Sequence, residues 1–110
     1  MKQIVVDQLR PGDCEKLEEL LSGRYGACPV PGIFWVDLPA EALSPTQAEH
    51  RDCAPFAVAL ELSETSLSCE LLIRARQRMR CSCVAYATDS QVLYLLRLLD
   101  EILDELAIRV

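Results

Sequence analysis

"FAVALELSETSLSCELLIRAR", Phe56 to Arg76, alternates apolar and other residues on both sides of a short polar turn. Phe56, Val58, Leu60 and Leu62 fall on one face of the first half, with Ala57, Ala59 and Glu61 on the other. A period of two marks a strand with one buried face. "SETS" reverses the chain, and Leu67, Cys69, Leu71 and Ile73 return on the matching face. The stretch therefore reads as an antiparallel hairpin, and the rest of the fold is arranged around it.

Upstream, "KQIVVDQL" (2–9) is rich in β-branched residues and reads as a first strand. "RPGD" breaks it, and Cys14, Leu17, Leu20 and Leu21 follow at helical spacing, with Asp13 as N-cap and Gly23 as stop. "RYGACPVPG" is a loop, "IFWVDL" (33–38) a second strand, and 39–55 a polar connection. Within that connection Ser44, Pro45 and Gln47 form a capping-box pattern, which predicts a helical turn through about His50. Downstream, a reversal near Gln77 and Arg78 leads to a third strand of the meander, Met79 to Ala87, because one strand from 67 to 87 would far exceed the usual length. "TDSQVLYLLRLLDEILDELAI" closes the chain as an amphipathic helix, with Val92, Leu95, Leu96, Leu99, Ile102, Leu103 and Leu106 in one stripe. The order β-α-β, helical turn, β-β-β-α makes residues 1–110 a single α+β domain. Its expected form is one mainly antiparallel sheet of about five strands, with two helices on one face.

"IVVDQLRPGDCEKLEELL" is similar to the opening strand and helix of the acetyl-CoA-dependent N-acetyltransferases. The likeness covers the first fifth of the chain and implies a strand-helix start. That family's glycine-rich pyrophosphate loop has no counterpart here, since "TDSQVLYLL" contains no glycine to let backbone amides approach a phosphate. The resemblance is set aside as shared strand-helix grammar.

The chain has 110 residues, a quarter of them charged and just over half apolar, which is globular composition. The first apolar run, Ile4 to Val6, is too short for a secretory core or a membrane span, so the expected compartment is the cytoplasm, with no membrane partner. Six cysteines in a reducing compartment are buried small hydrophobes, metal ligands or reactive thiols. His50 and Cys53 form H-x-x-C, and Cys81 and Cys83 form C-x-C. In a meander the start of the 56–62 strand, the end of 67–76 and the start of 79–87 share one sheet end, so these four can converge as a Cys3His site for one zinc ion. The competing readings are plain core cysteines, or a thiol nucleophile with His50, the only histidine, as its base. Cys14 and Cys69 sit on apolar faces and read as core, while Cys28 reads as an exposed loop residue.

"RARQRMRCSC" (74–83) adds four arginines, Arg74, Arg76, Arg78 and Arg80, to a chain of net charge −6. They form a local basic patch for a phosphate, a carboxylate or an acidic partner. The plainer reading pairs them with Glu61, Glu64, Glu70 and the acids of the last helix, and has them guard a sheet edge. Nucleic acid is disfavoured, because only Tyr86 lies near the arginines in sequence while Phe34 and Trp35 sit on another strand. One histidine and no phosphate loop place an enzyme last. The first expectation is a non-enzymatic binding domain for a protein partner or a second copy, using the leucine stripe and the uncovered sheet face. A small metal-binding protein and an anion-binding module are the alternatives.

Overall fold

In the computed structural model, which describes residues 1–26 and 30–110, the hairpin is the centre of the sheet. Cys28 lies outside the described residues. Strand β1 (Gln3–Val6), helix α1 (Pro11–Tyr25) and strand β2 (Ile33–Asp37) come first. A short helix α2 (Pro45–Glu49) lies between two 3-10 turns, Ala40–Ala42 and Arg51–Cys53. Strands β3 (Phe56–Leu62), β4 (Leu67–Glu70), β5 (Leu72–Ala75) and β6 (Ala85–Tyr86) then lead to helix α3 (Asp89–Glu105). The class is α+β with a mainly antiparallel sheet, as the residue pattern predicts.

Strand β3 organises the sheet. Along one edge it pairs with β2, from Ile33 opposite Glu61 to Asp37 opposite Ala57. Along the other it pairs first with β4, Leu60 opposite Cys69, and then with β5, Ala57 opposite Arg74. Two residues of β3 between those pairs thus face four on the return strand, a bulge that splits the expected 67–76 strand at Leu71. An insertion of two keeps the alternation, so Leu67, Cys69, Ile73 and Ala75 all stay on the core face and are fully buried. Outside them β1 and β6 share one lane, β1 along β4 and β6 along β5. Counting β4 and β5 as one bulged strand returns the five expected.

The core face of the sheet is Phe34, Val36, Phe56, Val58, Leu60, Leu67, Cys69 and Ile73, and α1 and α3 cover it with Leu17, Leu21, Leu95, Leu99 and Ile102. Burying one such side chain contributes roughly 1.5–3 kcal/mol. An Arg24–Glu105 ion pair at 2.7 Å joins the two helices at their C-terminal ends. Within the stripe expected for α3, Leu96 is exposed and so is its neighbour Leu93, while the rest is buried or half-buried. No described helix is long and apolar enough to cross a membrane.

Two boundaries differ from expectation. Helix α1 begins earlier, with Arg10 as N-cap, Pro11 in the first turn and Asp13 reaching back to the Arg10 amide at 3.0 Å. Proline at the first helical position is favoured because its missing N–H would be unsatisfied there anyway. The helix also runs past Gly23 to Gly26, whose φ of +83° suits a residue without a Cβ. The second difference is the expected strand from Met79 to Ala87. Only Ala85 and Tyr86 pair in the sheet, and the residues before them form successive turns.

Candidate metal centre

His50 and Cys53 are placed by helix geometry. Ser44 caps α2, its hydroxyl accepting from the Gln47 amide at 3.2 Å while the Gln47 side chain accepts from the Ser44 amide at 3.0 Å. His50 ends that helix, its N–H donating to the carbonyls of Thr46 and Gln47. The chain then tightens into a 3-10 turn, with the Cys53 amide donating to the His50 carbonyl at 3.0 Å. Three residues per turn eclipse positions i and i+3, so the H-x-x-C pair projects from one side.

Cys81 and Cys83 arrive by another route than the strand alternation expected for them. The Cys81 amide donates to the Arg78 carbonyl at 3.3 Å, and the Val84 amide to the Cys81 carbonyl at 3.1 Å. These turns fold "RMRCSCV" over the end of the sheet. Two further backbone bonds tie that loop to the H-x-x-C turn, Arg76 to the Pro55 carbonyl at 2.9 Å and Gln77 to the Cys53 carbonyl at 3.3 Å. The ligand atoms of His50, Cys53, Cys81 and Cys83 all lie within 4.8 Å of one another. They are close enough to hold a metal ion.

Cys53 and Cys83 are buried, whereas His50 and Cys81 are half-buried. His50 Nδ1 stands 3.2 Å from Cys81 Sγ. The thiols differ in acidity. A hydrogen bond from the Cys83 backbone amide, helped by the Cys83, Cys53 and His50 side chains, pulls Cys81 down to about 6. Burial pushes Cys83 up to about 12 and also raises Cys53, so protons collect on the two buried thiols. An open cavity of about 340 Å³ borders the cluster, lined by His50, Cys53, Cys81, Arg51 and Arg78, with Glu49 and Asp52 opposite in charge.

The other cysteines separate from this group. Cys69 is wholly buried in the core, as expected. Cys14 is only half-buried and its thiol donates to the Ser63 carbonyl at 3.3 Å.

The four arginines fall in two neighbouring pairs, Arg74 and Arg76 lining one cleft and Arg78 and Arg80 another, with Met79 common to both. Arg74 and Arg76 lie on the sheet face away from the helices, Arg78 borders the metal cavity, and Arg80 is exposed. Of the acids expected to pair with them, Glu70 meets Arg74 at 3.0 Å. The partner of Arg76 is instead Asp37, at 3.9 Å. Sequence reasoning missed Asp37 and Trp35 because their place beside the arginines depends on the β2–β3 register. It also missed Gln91, whose signal, a second capping-box pattern at Thr88 to Gln91, is present in the chain.

Gln47 and Gln91 are the buried polar residues among the described residues. Each is the third helical residue of its own capping box, and Gln91 Nε2 donates to Gln47 Oε1 at 2.9 Å and to the Ala42 carbonyl at 3.0 Å. The segment carrying His50 is thereby fastened to the helix that follows Cys83. Comparison with family models, with curated proteins and with solved structures finds no match to this chain.

Proposed function

We propose that the chain is a small zinc-binding domain whose metal is structural, and that it acts by binding rather than by catalysis. The observation that carries the reading is the convergence of three thiols and an imidazole from two separate turns, all within 4.8 Å. Tetrahedral zinc holds sulfur at about 2.3 Å and imidazole nitrogen at about 2.0–2.1 Å, so closure on the metal needs movements of about 1 Å or less. Four protein ligands complete the coordination and leave no open position, which is the pattern of structural sites. Three sulfurs and one nitrogen also suit zinc better than magnesium or calcium. A thiol-nucleophile reading draws on the His50–Cys81 contact. Two further thiols at the same point serve a metal but have no part in a dyad.

Protein purified without chelator is expected to carry about one zinc per chain by elemental analysis. Calorimetric loading of the metal-free protein in buffers of different ionisation enthalpy is expected to release about two thiol protons near pH 7.5. Cys81, at about 6, is already a thiolate there, whereas Cys53 and Cys83 must both give up a proton. Below about pH 6 Cys81 is protonated too, so affinity should fall more steeply with acid. No metal uptake by the wild type, or uptake unchanged when Cys83 is replaced by serine, would remove the reading.

A further inference from the structure

The sheet face that no helix covers is not bare. Trp35 stands opposite Ala59 and Arg74 opposite Ala57, and both alanines are buried beneath them. The guanidinium of Arg76 lies 5.3 Å from the centre of the Trp35 ring, and that of Arg74 6.0 Å away. Met79 joins them around an open cleft of about 230 Å³. On the same face Tyr86 pairs with Leu72, three strands from Trp35 and thus about 14 Å away. The Lys2 ammonium lies 5.2 Å from the centre of its ring. Two cation-capped aromatic rings therefore flank a shallow floor of Ala57, Ala59 and Leu72.

Charge is distributed unevenly as well. Lys2, Arg74, Arg76, Arg78 and Arg80 are five of the eleven basic residues in a chain of net charge −6. Three acids of the sheet share this face: Glu61 makes no ion pair among the described residues, and the pairs of Asp37 and Glu70 are weak. Asp37 is 3.9 Å from Arg76, and Glu70 engages only Nη2 of Arg74, whose buried Nε has no partner among the described residues. Partly exposed ion pairs of this kind add little to stability, so an incoming phosphate can replace either carboxylate cheaply. The rest of the chain carries a large excess of acids over bases, which disfavours a polyanion there.

We infer that this face binds single-stranded nucleic acid, with phosphates on the arginines and Lys2 and bases against Trp35 and Tyr86. Aromatics beside the charges are what base stacking needs, and folding supplies them from strands distant in sequence. An acidic protein segment would use the cations and leave the rings without a role. The inference stands apart from the metal reading, since none of its stacking residues is a proposed ligand.

Trp35 is the only tryptophan, so its fluorescence reports on this face alone. Titrating the full chain with a short oligouridylate in low salt is expected to quench that emission saturably. With about four phosphate contacts, affinity should fall about 50-fold between roughly 50 and 200 mM salt. Arg76→Gln should weaken binding and reduce the slope of log affinity against log salt by about 0.7. Tyr86→Leu, which keeps the charges, should weaken it several-fold at every salt concentration. Absence of quenching, or equal affinity for polyglutamate or inorganic polyphosphate, would overturn the inference, the last two by showing that the rings take no part. Zinc content measured on the same samples keeps the two readings separate, because a loaded protein that fails to bind RNA contradicts only this one.

Discussion

Stripping zinc with a strong chelator should lower the melting temperature by about 15–30 °C without unfolding the chain at room temperature. A ligand present at a thousand times its dissociation constant stabilises the folded state by about 4 kcal/mol. In a domain of this size each kcal/mol is worth about 4–8 °C. Collapse of the whole fold is not expected, because Leu17, Leu21, Leu95, Leu99 and Ile102 fill a core between sheet and helices to which the cluster adds only Cys53 and Cys83, with Cys81 packed against it. Loosening should instead concentrate in residues 50–55 and 76–84, which hydrogen exchange resolves. Cys83→Ser should reproduce the shift, while Cys14→Ser, outside the cluster, should not. A melting temperature unmoved after verified loss of zinc would show that the metal is not a staple.

Replacing Gln91 by alanine should cost about 2–4 kcal/mol in urea denaturation. Its amide makes three bonds in a nearly dry setting, donating to Gln47 and to the Ala42 carbonyl and accepting from the Thr88 amide at 3.0 Å. Each net bond contributes about 1 kcal/mol, and a buried partner left unpaired costs about 1–3 kcal/mol more. Gln47→Ala should be partly redundant with it, giving a double-mutant coupling of about 1 kcal/mol. Zinc should also exchange faster from the Gln91 variant, since α2 would no longer hold His50 against the base of α3. A loss below about 0.5 kcal/mol would mean that water replaces the amide and that the clasp is decorative.

The parts of this molecule visible in the chain were those set by local periodicity. Alternation from Phe56 to Ile73 identified the hairpin and its buried face, and Ser44, Pro45 and Gln47 marked a short helix because a capping box is a local device. The meeting of His50 and Cys53 with Cys81 and Cys83 was also legible, since antiparallel pairing fixes which strand ends are neighbours. The route was misjudged at residues 79–84, where no glycine or proline announces the turns. Pro11 did announce the earlier start of α1, and Asp13 was mistaken for the cap when it is the residue that reaches back to it. Hardest to see was Trp35 beside Arg74 and Arg76. That contact needs β2 on β3 in the right register and a bulge of even length on the far side, and neither is written in any short window.

The lane shared by β1 and β6 bears on how the chain comes together as it leaves the ribosome. Residues Gln3 to Val6 pair with Leu67 to Glu70, more than sixty positions later, and the Met1 sulfur accepts from the Tyr86 hydroxyl at 3.5 Å. Strand β1 is therefore made well before its partner and is among the last elements to find a place. Closing so long a loop costs entropy that nearby hairpins do not incur. Nascent β3, β4 and β5 should assemble first, leaving an open sheet border that β1 later seals. Pulse-labelling exchange during refolding would detect this order as late protection of the Ile4 and Val6 amides relative to those of Ala57 and Glu61, which face β5 and β4. Until then the unsealed border is where a neighbouring chain could pair in error, which makes β1 a guard against mispairing as well as a strand.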